Sequence, residues 1–70
     1  MSTNRDIKTN PQKGDRVDRK FSTGIFTREV TAVNPNCIHF AVHYPSGGTT
    51  NHVCSLASWE AWCKYAEPTP

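Results

Sequence analysis

Five residues in the middle of the chain, Cys37, His39, His43, His52 and Cys54, are of the types that hold transition metals or activate nucleophiles. Strand alternation puts Cys37, His39 and His43 on one face of a strand. A hairpin folded at Gly47-Gly48 brings His52 and Cys54 to the same face of its partner. Zinc sites usually draw on tight pairs around a turn, such as Cys-x-x-Cys. Here the pairs are Cys37-x-His39 and His52-x-Cys54, and the turn between them carries no ligand. No metal and no cofactor is therefore expected. His39 beside Cys54 would lack a third, orienting residue. The carboxylates Asp6, Asp15, Asp18, Glu29, Glu60 and Glu67 do not pair as acid and base. No glycine-rich phosphate loop leads into a lysine. The chain reads as a non-catalytic binding module, not as an enzyme.

The second kind of chemistry is charge. Net charge is only +2, but it is unevenly spread. Residues 1–35 hold seven Lys or Arg against four Asp or Glu, and residues 36–70 hold one against two. The excess gathers at Lys13, Arg16, Arg19, Lys20 and Arg28, opposed by Asp15, Asp18 and Glu29. Phosphates are the natural partners of such a surface, with Phe21, Phe26 or Tyr44 available to stack on bases. Strand alternation places Arg19 opposite Arg16, so Lys13, Arg16, Lys20 and Arg28 form the expected contact set, with Tyr44 and Trp62 as aromatic anchors. The two function classes are nucleic-acid binding through this first-half surface and, as the alternative, docking onto a host protein through the loops or the Trp59/Trp62 helix.

These groups need elements to position them. At 70 residues the chain is one domain. The pattern predicts strands over 16–21, 25–33, 37–44 and 49–54, with turns at Ser22-Thr23-Gly24, Asn34-Pro35-Asn36 and residues 45–48. Val30 and Val33 both face inward only if the second strand bulges near Thr31-Ala32. The hairpin is expected to put Val53 on the face of Phe40, and His52 and Cys54 on the face of His39. Ser55 then caps a helix whose stripe is Leu56, Trp59, Cys63 and Ala66, widened by Trp62. The expected core is Val17, Ile25 or Phe26, Val30, Val33, Ile38, Phe40, Val42, Val53, Leu56 and Trp59.

The folded unit is expected over 13–66, with a flexible N-terminal segment over 1–12 and a flexible tail over 67–70. No window is long and apolar enough to span a membrane, and no secretory pattern opens the chain. Three cysteines make a poor disulfide framework. A cytoplasmic protein with reduced thiols and no membrane partner is expected.

Two stretches carry a resemblance. Lys13-Gly14-Asp15-Arg16-Val17, Gly24 and Val30-Thr31-Ala32-Val33 resemble the opening of small SH3-like barrels of the KOW type. Residues 56–62, Leu-Ala-Ser-Trp-Glu-Ala-Trp, are similar to the tail of small phage or prophage accessory proteins that append one helix to such a barrel. The resemblance implies a mainly β fold: a small, bent antiparallel barrel of four to five strands with one C-terminal helix. It also implies the RNA-binding role of some KOW modules. The chain departs from that pattern at Arg28-Glu29, where a glycine usually precedes the second strand's first valine.

Overall fold

The computed structural model describes residues 6–69. Four consecutive antiparallel strands form a meander: β1 (Arg16–Phe21), β2 (Gly24–Asn34), β3 (Cys37–His43) and β4 (Thr49–Cys54). A helix, α1 (Leu56–Cys63), follows, and a short strand, β5 (Glu67–Pro68), ends the series. The sheet order is β4-β3-β2-β1-β5. β5 pairs with β1 rather than with β4, so the sheet is open and does not close into the expected barrel. Closure is blocked at the sequence level. The chain passes from β4 into the helix through Ser55 alone, and β5 is only two residues long and contains a proline, which cannot donate to a ladder.

The bulge is where the valine spacing requires it. The β2–β3 register shifts between Val30 and Ala32, leaving Thr31 as the extra residue. Before the bulge, alternation is regular. Val17 faces Arg28, Arg28 faces Val42 and Val30 faces Phe40, which defines one inner face across three strands. The core on that face is Val17, Val30, Ile38, Phe40 and Val42, closed by Trp59, Cys63 and Ala66 from the C-terminal side. Ala41 is also buried, and Phe26 packs at the core's margin.

The hairpin register differs from the expectation. His43 faces Thr49, Phe40 faces His52, and His39 faces Val53. The connection is thus a five-residue loop, residues 44–48, held by Tyr44 N–H to the Gly48 carbonyl and Gly47 N–H to the Tyr44 carbonyl, 2.9 Å each. An odd loop reverses parity, and strand side chains alternate with period two. His52 and Cys54 therefore move to the inner face with Phe40, and Val53 turns outward, 57% exposed. Val33 and Leu56, also expected in the core, are exposed and line a shallow pocket with residues 9–11. Val33 sits beyond the bulge, and Leu56 opens the helix ahead of its buried pair, Trp59 and Cys63. Ile25 is exposed because it pairs with Lys20 on the outer face.

Ser55 caps α1 as expected: its Oγ accepts from the Ser58 amide at 3.1 Å. Trp59 and Cys63, one turn apart, are the fully buried pair. The regular helix stops at Cys63, and Ala66 is buried from the turn that follows. Two described residues outside β1–α1 make long-range bonds. The Trp59 indole N–H donates to the Ile7 carbonyl at 3.2 Å, and Ile7 packs on the core. Thr69 donates through its amide to the Arg16 carbonyl (3.0 Å) and through its hydroxyl to Asp18 (2.8 Å). Ile7 is thus tied to α1 and Thr69 to β1. Residues 1–5 and Pro70 lie outside the described residues.

Candidate functional site

The inner face of the sheet is only partly covered by α1. The uncovered part is an aromatic cleft of about 400 Å³, within the usual range for ligand sites. Phe40 and Val42 of β3 form its floor, and Phe21, Phe26, Tyr44 and Trp62 stand around it. Strand alternation puts Phe21, Phe26 and Arg28 on this face, since β1 and β2 pair Phe21 with Gly24 and Arg19 with Phe26. Phe26 stacks edge-on against both Phe21 and Tyr44, with centroids 5.1 and 5.4 Å apart. On the β4 side, Tyr44 Oη, Thr50 Oγ1 and His52 Nε2 form a chain of hydrogen bonds of 2.9 and 2.7 Å. The His52 ring stacks on Phe40 at 5.6 Å.

One rim of the cleft depends on glycine. The turn between β1 and β2 approaches Pro45 so closely that a Cβ on Gly24 would sit 2.7 Å from two atoms of the proline ring. Gly24 also has φ +132°, which side-chain-bearing residues rarely adopt. The β1–β2 turn and the β3–β4 loop therefore meet because position 24 has no side chain.

Two cations gather at Trp62 on the other end, Arg28 in the cleft lining and Arg19 beside it. The Arg28 guanidinium lies 4.3 Å from the Phe40 centroid and 4.1 Å from that of Trp62. The Arg19 guanidinium lies 5.4 Å from Trp62, 4.8 Å from Phe21 and 5.3 Å from Tyr65, and donates to the Trp62 carbonyl at 3.3 Å. Trp62 is thus a common platform for both arginines. Among the described residues neither has a carboxylate partner within ion-pair distance. Burial, with a smaller contribution from the like charge of Arg19, lowers the pKa of Arg28. Nearby thiols act in the opposite direction without cancelling it. An arginine remains protonated regardless, so the arrangement is a paired positive charge on an aromatic surface.

Of the six expected contact residues, the cleft gathers Arg28, Tyr44 and Trp62. Arg16 and Lys20 lie on the outer face, where Arg16 faces Glu29 and Lys20 faces Ile25, and Lys13 precedes β1 near the Gly14 turn. Arg28 therefore shares its face with Arg19, the residue set aside as facing away, and not with Arg16. The signal was present: Phe26, Arg28 and Val30 alternate on one face, as do Val17, Arg19 and Phe21. His52 also lines the cleft, with Thr50 hydrogen-bonded to it and to Tyr44, and the five-residue loop hid them.

The Cys/His set does not converge. Cys37 and His39 lie beside Asn34, whose amide nitrogen is 2.9 Å from His39 Nε2. Their own S–N distance is 3.7 Å. His43 meets Glu29 at 3.0 Å on the outer face, while His52 and Cys54 are on the inner face. No group of three or more His, Cys, Asp or Glu is placed to hold a metal among the described residues. Burial pushes the Cys63 thiol up to about 11 and raises Cys54 as well, so neither is a ready nucleophile. No helix is long and apolar enough to cross a membrane among the described residues.

Comparison of the chain with protein-family models, with curated proteins and with solved structures finds no match.

Proposed function

We propose that this protein is a non-catalytic module that binds single-stranded nucleic acid in the aromatic cleft. The observation that carries the reading is the pair of guanidinium groups, Arg19 and Arg28, held over one indole with no carboxylate partner among the described residues. Two like charges held together need an anion, and the rings beside them suit something flat. A nucleotide supplies both: its phosphate meets the arginines and its base stacks against Phe26 and Tyr44. A single strand fits better than a duplex, because only unstacked bases can enter a cleft of this size. Phosphates flanking the bound base would lie over the outer arms of the arginines. Lys13, Arg16 and Lys20, on other surfaces, contribute long-range attraction and not contact. In the setting that the tail's resemblance implies, this is a small phage or prophage accessory protein working in the cytoplasm.

The test is titration of Trp fluorescence with single-stranded DNA and RNA oligonucleotides at several salt concentrations. Two phosphate contacts give a slope of log K against log salt of about −1.4. Duplex of the same sequence should bind more weakly. The competing reading is a host protein seated in the same cleft by an apolar side chain. It would appear as lysate capture that survives nuclease, with oligonucleotide binding absent and little salt dependence.

A further inference from the structure

The second surface of interest is the outer edge of β4. All natural sheets with open edges must guard them, usually with charge, proline, a bulge or a covering element. β5 is guarded: it is two residues long and contains Pro68. β4 is not. Its sequence, Thr-Thr-Asn-His-Val-Cys, has no Lys, Arg, Asp, Glu or Pro, and it pairs with β3 without a register shift. Five of its six residues are exposed, and no described element covers its free edge. Val53 adds an uncovered apolar side chain on the outer face.

We infer that β4 is the self-association edge of the protein, pairing antiparallel with β4 of a second copy about a two-fold axis through Asn51. Antiparallel partners must share a face, so the two-fold register has to centre on a residue and not between residues. Centring on Asn51 sets Thr49 opposite Val53 of the second copy, Thr50 opposite His52, and Asn51 opposite itself. Val53 is then covered by a β-branched neighbour, and the two Asn51 amides can bond to each other. No charged pair is created at the seam, and the chain's low net charge of +2 offers little repulsion. A second copy fits better than an unrelated strand because this edge matches itself. The guarded β5 edge stops growth, so association closes at two chains instead of running on as a fibre. The result is one ten-stranded sheet with both aromatic clefts on the same face, His52 and Thr50 lying between them. A 70-residue chain gains from such pairing, since small domains bury a low share of their surface.

The experiment is sedimentation velocity and light scattering on the full chain over a wide concentration range. The expected mass is twice 7.8 kDa at high concentration, falling toward 7.8 kDa on dilution. Thr49→Lys with Val53→Lys places like charges opposite each other and should give a monomer with unchanged circular dichroism. Asn51→Lys is a second block should the double variant fold poorly, and Val53→Thr should remain a dimer. Hydrogen exchange should show those β4 amides that point away from β3 protected only at concentrations where the dimer forms. A wild-type chain that stays at 7.8 kDa, or a lysine variant that folds and still dimerises, overturns the inference.

Discussion

Replacing Arg28 by methionine separates the charge in the cleft from the volume it fills. Methionine keeps a long apolar stem against Phe40 and Trp62, which the guanidinium approaches at 4.3 and 4.1 Å. Two effects on stability oppose each other. Losing cation–π contact with two rings costs about 1–2 kcal/mol, and removing a half-buried charge returns part of that. The net change should be under about 1 kcal/mol, a midpoint shift of less than about 8 °C for a chain this size. Binding should respond far more. A charge-assisted hydrogen bond to phosphate contributes about 1.5–3 kcal/mol, and each 1.4 kcal/mol is about tenfold, so affinity for a single-stranded oligonucleotide should fall roughly 10- to 100-fold. The salt slope should become shallower by about 0.7. The assay is the fluorescence titration at several salts, run beside thermal melts of both proteins. Unchanged affinity and slope in a folded Arg28→Met protein would refute phosphate contact at this residue. A loss of several kcal/mol in stability would instead show that Arg28 is chiefly a structural part of the core.

Gly24→Ala should destabilise by about 1–3 kcal/mol, since the new Cβ meets Pro45 at 2.7 Å in a strained backbone conformation, and thermal melts check this. Phe40→Ala should cost about 3–5 kcal/mol in chemical denaturation, while outward-facing Val53→Thr stays within about 0.5 kcal/mol, less than a Val53 buried by the opposite hairpin parity would lose. Stability should fall as pH rises from about 9 toward 11. Buried Cys63 keeps its proton up to about 11, whereas the unfolded thiol loses its own near 9.0, so in that window the unfolded state binds fewer protons. Replacing Cys63 by alanine should flatten this alkaline decline. Melts with and without a strong chelator should coincide; a large drop in midpoint under chelation would revive a Cys/His metal site.

The elements were legible in the sequence because local pattern decides them. Alternation marked the four strands, the Val30/Val33 spacing located the bulge, and Ser55 marked the start of the helix. The faces were less legible. A hairpin's parity depends on whether its loop is even or odd, and glycines at 47 and 48 suggested an even one. The observed loop also takes in Tyr44, whose carbonyl accepts from the Gly47 amide. That one residue moved His52 into the cleft and Val53 out of the core. Arg28 was read as surface because charge usually faces water. Here aromatic rings on both sides let a guanidinium lie inward, which no single-residue propensity expresses. Closure of the sheet was beyond local pattern altogether, because it depends on which edge the last two strand residues choose.

The long-range ties made by Ile7, Thr69 and Trp62 have a consequence for the order in which the molecule folds. The pairings among β1, β2, β3 and β4 all join neighbours in sequence, so those contacts form across short loops and early. The latches are different: Trp59 to Ile7 spans 52 residues, Thr69 to Asp18 spans 51, and Arg19 to Trp62 spans 43. Each must wait for a long loop to close, at an entropic cost that the short hairpins do not face. The sheet therefore precedes the docking of the helix, and the pair of arginines over Trp62 is among the last features to assemble. A ligand that grips this pair acts on the final step: it holds the helix down against β1 and β2 and slows its release.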